Sequence, residues 1–362
     1  LGYAFTTEGM STLGMFTGNG TISLPKGAQS VIFVDRLAVA GSVARGRILP
    51  VTGGLDGRLD VSGALAGFVA LAPVNGDQQI KTELTATDAT FDGPTSIRVR
   101  RGKLTATALL EPTGTTIDAT VTARGLQVGP MRINRLDGNA KLVDGSGKVT
   151  ASVLGQRGRL FDLKFDADVT PGRVSIMAAG TLDRRPLTLT RAAVLTKTDD
   201  GWRLAPTTIN YRGGTSQFAG RLGGESTEIE ARLNKLPLAL LDIAYDTLGL
   251  GGAATGTLSY VKPRGGVPTG TANLRIRGLT RSGLALTSRP VDVGVNAVLS
   301  ATRLAARATI NADGKTIGRA QALLTPLGSG DLMQRLHAAP LFAQMRYNGT
   351  ADTLWRLTGI EI

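Results

Sequence analysis

Apolar and polar residues alternate along much of this chain. From Ile117 to Arg124 the odd positions are Ile117, Ala119, Val121 and Ala123, and the even ones Asp118, Thr120, Thr122 and Arg124. Period two sends successive side chains to opposite sides of an extended backbone, so the segment predicts a half-buried strand. The pattern sharpens between Phe161 and Val169, where Phe161, Leu163, Phe165, Ala167 and Val169 face one way and Asp162, Lys164, Asp166 and Asp168 the other. Shorter versions set Ile229, Ala231 and Leu233 against Glu228, Glu230 and Arg232, and Leu274 and Ile276 against Arg275 and Arg277.

Turn pairs punctuate these runs: Asp137-Gly138, Asp144-Gly145, Asp200-Gly201, Gly213-Gly214, Gly223-Gly224 and Asp313-Gly314. Such pairs supply the left-handed backbone that tight hairpins need. Their spacing predicts roughly 20 to 24 strands. The phrases Gly57-Arg-Leu-Asp, Gly180-Thr-Leu-Asp, Gly220-Arg-Leu-Gly and Gly256-Thr-Leu-Ser suggest degenerate repetition of one unit.

Two segments break the alternation. In 234–249, Leu236, Leu240, Leu241, Ala244 and Leu248 recur at helical spacing, with Asn234 as a cap, Pro237 in the first turn and Gly249 past the end. In 327–345, Leu332, Leu336 and Ala339 share a face before Pro340 breaks it. Both are expected to be short amphipathic helices covering the sheet or its edge. The segments 1–233 and 250–326 are then β-repeat, and 346–362 is a strand running on past the last residue. The fold class expected is all-β, an elongated curled sheet with an open hydrophobic groove and one or two short helices.

Composition narrows the chemistry. Hydrophobic residues make up 42% of the 362 positions but aromatics only 4%, so small and branched side chains supply the apolar surface. Without cysteine there is no disulfide, thiolate nucleophile or iron–sulfur ligand. The single histidine, His337, has no recognisable nucleophile or orienting acid, and Asp166 and Asp168 alternate with Lys164 as on a solvated face. Gly314-Lys315-Thr316 ends like a phosphate-binding loop, but Thr309 stands where the first glycine is required, so a basic β-turn is expected. In the run Gly249, Gly251, Gly252, Gly256 the third glycine of a dinucleotide fingerprint is replaced by Ala254. No enzyme, cofactor or metal is expected.

The net charge of +13 predicts attraction to anions. The cations are spread out with few aromatic stacking partners, which speaks against nucleic acid. Arg98, Arg100 and Arg101 form the densest cluster, read as a solvated strand face followed by a tight turn at Gly102.

From Leu236 onward the chain resembles the TamB family of AsmA-like bridge proteins. The residues that carry the resemblance are Leu-Pro-Leu-Ala-Leu-Leu-Asp-Ile at 236–243, Gly-Gly-Ala-Ala-Thr-Gly-Thr-Leu at 251–258, Pro263 and Pro268, and Gly-Thr-Ala-Asn-Leu at 270–274. The tail is similar too, in Pro-Leu-Phe-Ala-Gln-Met-Arg-Tyr-Asn-Gly at 340–349 and Leu-Trp-Arg-Leu-Thr-Gly at 354–359. The resemblance implies a periplasmic trough, apolar inside, whose parent is held at the inner membrane by an N-terminal helix and meets a TamA-like outer-membrane barrel. It implies a conduit for phospholipid, or a scaffold for outer-membrane protein assembly; the chain is then a fragment lacking both anchor and docking domain. The residues expected to line the groove are Ile117, Val121, Phe161, Leu163, Phe165, Val169, Ile229, Leu233, Leu274 and Ile276, with basic outer strands drawn to anionic lipid. A secreted β-solenoid adhesin would share the glycine and threonine content but have a filled core. A membrane-embedded barrel would need more tyrosine and tryptophan at its strand ends.

Overall fold

The computed structural model describes residues 1–11, 14–91, 96–243, 249–281, 289–325, 335–336 and 338–350. Among these are 24 strands, assigned to one antiparallel sheet, and a single 3₁₀ segment, Leu238–Ile243. The all-β class follows from the alternation that runs through the chain. No helix among the described residues is long and apolar enough to cross a membrane.

The chain divides into two units. The first, Leu1–Gln156 with Leu160–Pro171, holds β1 (Gly2–Ser11), β2 (Gly14–Ser23), β3 (Val31–Val39), β4 (Ser42–Val51), β5 (Gly54–Gly63), β6 (Leu65–Val74), β7 (Asp77–Phe91), β8 (Ile97–Glu111), β9 (Gly114–Val128), β10 (Met131–Val143), β11 (Ser146–Arg157) and β12 (Arg159–Thr170). From β1 to β11 each strand pairs with its neighbours in the chain, a continuous meander.

The second unit holds β13 (Arg173–Leu182), β14 (Arg185–Leu189), β15 (Ala193–Thr198), β16 (Gly201–Tyr211), β17 (Gly214–Leu222), β18 (Ser226–Pro237), β19 (Leu250–Pro263), β20 (Thr269–Arg281), β21 (Val291–Leu299), β22 (Leu304–Ala312), β23 (Lys315–Leu324) and β24 (Leu341–Tyr347). It is a meander with one interruption. Both β14 and β15 pair with β13 on one side and β16 on the other, so they share one place in the sheet, split at Thr190–Ala192.

Hairpins form where the backbone can turn left-handed at two successive residues. Asp144 and Gly145 (φ 53° and 71°), Arg212 and Gly213 (48° and 76°) and Asp313 and Gly314 (47° and 75°) are such turns. The last precedes strand β23, so Gly314-Lys315-Thr316 is a basic turn entering a sheet.

Two expected turns are instead strand interior. Asp137-Gly138 lies within β10, where Gly138 pairs with Val121 and Ala151. Gly102 lies within β8, between Ala86 and Ala123. In both places the neighbouring strands already supply a ladder on either side, and its hydrogen bonds outweigh the local turn preference.

The helical expectations also change. Residues 234–237 continue β18, because a bulge at Lys235 (φ 56°) lets the strand resume with Leu236 opposite Ala254. The Lys235 amide donates to Thr255 Oγ1, 3.0 Å away, so Asn234 caps nothing and its side chain bonds Thr215 instead. The helical turn begins only at Leu238; Ala244 and Leu248 lie outside the described residues. In the second segment, Arg335–Leu336 are helical and Leu332 and His337 lie outside the described residues. Residues 341–345 are not helix but belong to β24, paired with β23 from Leu341 opposite Leu324 to Tyr347 opposite Gly318. Of the expected final strand, 346–347 close β24 and 351–362 are not described.

A candidate apolar binding face

Residues directly opposite in an antiparallel ladder point to the same side of the sheet, so the registers trace rows across the strands. In the first unit one row reads Tyr3, Ile22, Ile32, Ile48, Gly57, Leu71, Ile80, Ala108, Ile117, Leu142, Gly147 from β1 to β11. Four residues along, a parallel row on the same side carries Leu37, Ala44, Val61, Leu84, Leu104 and Val121. Ile117 and Val121 therefore belong to one apolar face shared by every strand from β1 to β11.

On β12 the expected alternation is complete: Phe161, Leu163, Phe165 and Val169 are half-buried and Ala167 is buried, while Asp162, Lys164, Asp166 and Asp168 are exposed. Phe161 also packs against its own sheet. A Cβ added to Gly155 would fall 2.6 Å from the Phe161 ring, so the ring lies over a bare stretch of backbone that glycine alone leaves open. Phe16 covers Gly9 in the same way, at 2.7 Å.

In the second unit Ile229 sits in the row Val174, Leu195, Leu204, Gly220, Ile229, Tyr260, Gly270, Leu299, Leu304, Leu324, Leu341. Leu233 and Leu274 share another row, with Gly256 between them and Val295 beyond. Ile276 is one step along β20, opposite Ala254 and Val293. The four expected residues thus form one patch.

These rows are only partly packed: Ala254 and Val293 beside Ile276 are buried, while most of their neighbours are half-buried. Among the described residues twelve apolar side chains are buried, and six of them are alanines. Among the described residues the most deeply buried side chains are Ser216 (1% exposed), Ala254 and Val291 (2%) and Leu182 and Tyr211 (3%). Val121 stays 37% exposed and Ile229 38%. A face made of Val, Leu, Ile and Ala with its backbone polar groups engaged in ladders favours contact with another apolar body, and part of this one, as at Val121 and Ile229, is left open to receive it.

The opposite face is polar and, in the first unit, paired in charge. Lys103–Glu83 (2.7 Å), Arg58–Asp60 (2.8 Å), Lys141–Asp118 (3.5 Å) and Lys148–Asp168 (3.6 Å) are exposed ion pairs, worth little in stability but keeping the face solvated. Hydrogen bonding from Arg135, assisted by Arg124, holds the Asp137 carboxyl below its ordinary range. Arg58 also lies 3.9 Å from the centre of the Phe68 ring, which explains an aromatic on this side.

The row partners Leu71, Ile80, Leu142, Leu204 and Leu299 escape a reading by alternation alone. In β6 even the polar side carries Ala66, Phe68 and Ala70, so period two is blurred there. Once the strand register is known, Leu71, Ile80 and Leu142 fall in the row of Ile117, and Leu204 and Leu299 in that of Ile229. Among the described residues no cluster of acids or histidines could hold a metal. No known family, curated protein or solved structure matches the chain.

Proposed function

We propose that this chain is a segment of a TamB-like periplasmic bridge whose apolar face carries phospholipid acyl chains toward the outer membrane, the headgroups remaining in water. The observation that carries the proposal is the apolar face repeated strand after strand within each unit and left partly open, as at Val121 and Ile229. Each buried methylene contributes about 0.8 kcal/mol. Because successive rows offer the same kinds of side chain, a tail can move from row to row with little change in energy. A β-solenoid adhesin needs an interior filled by large side chains, whereas six of the twelve buried apolar side chains among the described residues are alanines.

Native mass spectrometry with lipid extraction tests the proposal on the purified chain. Co-purified phospholipid is expected, and it is expected to vanish in the Leu163→Arg, Phe165→Glu variant while circular dichroism remains that of a β protein. A folded chain free of lipid would refute the conduit; binding of unfolded outer-membrane proteins without lipid would favour the scaffold.

A further inference from the structure

The polar face of β20–β24 differs from that of the first unit. Two of its rows are cationic or neutral: Arg275, Gly294, Thr309, Arg319, Arg346, and beside it Asn273, Asn296, Arg307, Gln321, Gln344. Arg307, Arg319 and Arg346 are exposed, and no carboxylate among the described residues lies within ion-pair distance of them. They flank a shallow depression of ≈ 670 Å³ with Thr309, Gln321 and Gln344. From residue 269 to 347 the sequence holds ten Lys and Arg against three Asp and no Glu, a net +7 of the chain's +13.

The next row on this same face is apolar: Val298, Ala305, Leu323, Phe342. Val298 is 54% exposed and Phe342 57%. A band of unpaired guanidiniums beside a band of exposed apolar side chains is the arrangement that matches a lipid–water boundary. Guanidiniums meet phosphates there, and apolar groups enter the acyl region. A nucleic acid would need aromatic platforms between the cations, and these two cationic rows have none.

We propose that the polar face of β22–β24 docks on an anionic phospholipid bilayer, with Arg307, Arg319 and Arg346 at the headgroup phosphates and Val298 and Phe342 inserted beside them. This surface lies on the other side of the strands from the proposed acyl-chain path, and the two proposals can fail separately.

Co-sedimentation of the purified chain with vesicles of phosphatidylcholine, alone or mixed with phosphatidylglycerol, tests it. Binding is expected only with the anionic lipid and is expected to be lost in high salt, where screening shortens to about 3 Å at 1 M. The Arg307→Gln, Arg319→Gln, Arg346→Gln variant is expected to bind on the order of 100-fold more weakly, at about 1 kcal/mol for each cation near the surface. Val298→Ser with Phe342→Ser should weaken binding and leave its salt dependence unchanged. A variant with the same charge loss in the first unit, Arg36→Gln, Arg47→Gln, Lys81→Gln, should bind as the parent does. Equal losses in the two charge variants would overturn the proposal, as would full binding by the first. Competition by millimolar inorganic phosphate, or binding of a single-stranded oligonucleotide through these arginines with no binding to vesicles, would overturn it in favour of a free-phosphate or nucleic-acid site. Co-purified lipid should persist in the arginine variant, and vesicle docking should persist in Leu163→Arg, Phe165→Glu.

Discussion

Replacing Ile229 by threonine probes the apolar face at a point where the fold has little at stake. Ile229 keeps 38% of its surface open, opposite Gly220 on one side and Tyr260 on the other. Threonine preserves the β-branch, and with it the stiffness that suits a strand. What changes is the remnant an alkyl chain would cover, on the order of 70 Å², worth about 1.8 kcal/mol at ~25 cal/mol per Å². Binding of a monomeric short-chain phospholipid, followed by titration calorimetry, should therefore weaken by up to about 20-fold, less whatever the threonine methyl retains. The heat-capacity change on binding should become less negative, because less apolar surface is removed from water. Val121→Thr, with 37% exposure in the first unit, should lose a similar factor for a ligand held there. Glu230→Gln, the next residue on the opposite face of β18, serves as the control. An affinity unchanged in Ile229→Thr, or reduced as much in Glu230→Gln, would refute the assignment of the ligand to this face.

Other substitutions test the packing. Tyr211 is 3% exposed and its hydroxyl donates to the Leu182 carbonyl at 3.2 Å, and burial raises its pKa above the ordinary tyrosine value. A phenol whose folded pKa is raised stabilises the fold fully below about pH 10, its unfolded value, and loses that contribution as pH climbs through the folded one. Urea unfolding of the parent should thus show an alkaline loss of stability that is diminished in Tyr211→Phe, which at neutral pH should cost about 1 kcal/mol. Gly9→Ala should destabilise the chain by about 1–3 kcal/mol through collision with the Phe16 ring, and Phe16→Leu in the same chain should recover part of it in a double-mutant cycle. The Ser216 hydroxyl is buried without a partner, so Ser216→Ala should be neutral or stabilising by up to about 1 kcal/mol in the same unfolding assay.

The fold class and the faces of individual strands were legible because alternation is a local property. Between Phe161 and Val169 each residue's side of the sheet could be read from its own neighbours. Pairing is not local. That Ile117 stands opposite Ala108 and Leu142, or that Leu233 and Leu274 are joined across Gly256, depends on where each hairpin turns, and bulges such as that at Lys235 shift the count. Turn chemistry misled at Asp137-Gly138 and Gly102, where a glycine serves close strand packing: a Cβ at Gly138 would lie 3.0 Å from the Val121 side chain. Leucine spacing misled at 234–237, because a strand bonded along one whole side overrides a helical preference. The arginine rows of β22–β24 were hidden for the same reason as the apolar ones. Arg307, Arg319 and Arg346 are far apart in the chain and become a cluster only across the ladder.

The meander has a consequence for how such a protein can change over time. Each strand within a unit leans mainly on the one before and the one after, so stability is expected to accumulate nearly hairpin by hairpin, as in other repeat architectures. Deleting or duplicating one complete hairpin removes or adds two strands, restores the alternation of sides, and leaves every remaining register untouched. Removing a single strand would reverse the direction of all that follow and force a new connection. The gene can therefore lengthen or shorten by whole hairpins without inventing new chemistry, and natural variants should differ by even numbers of strands.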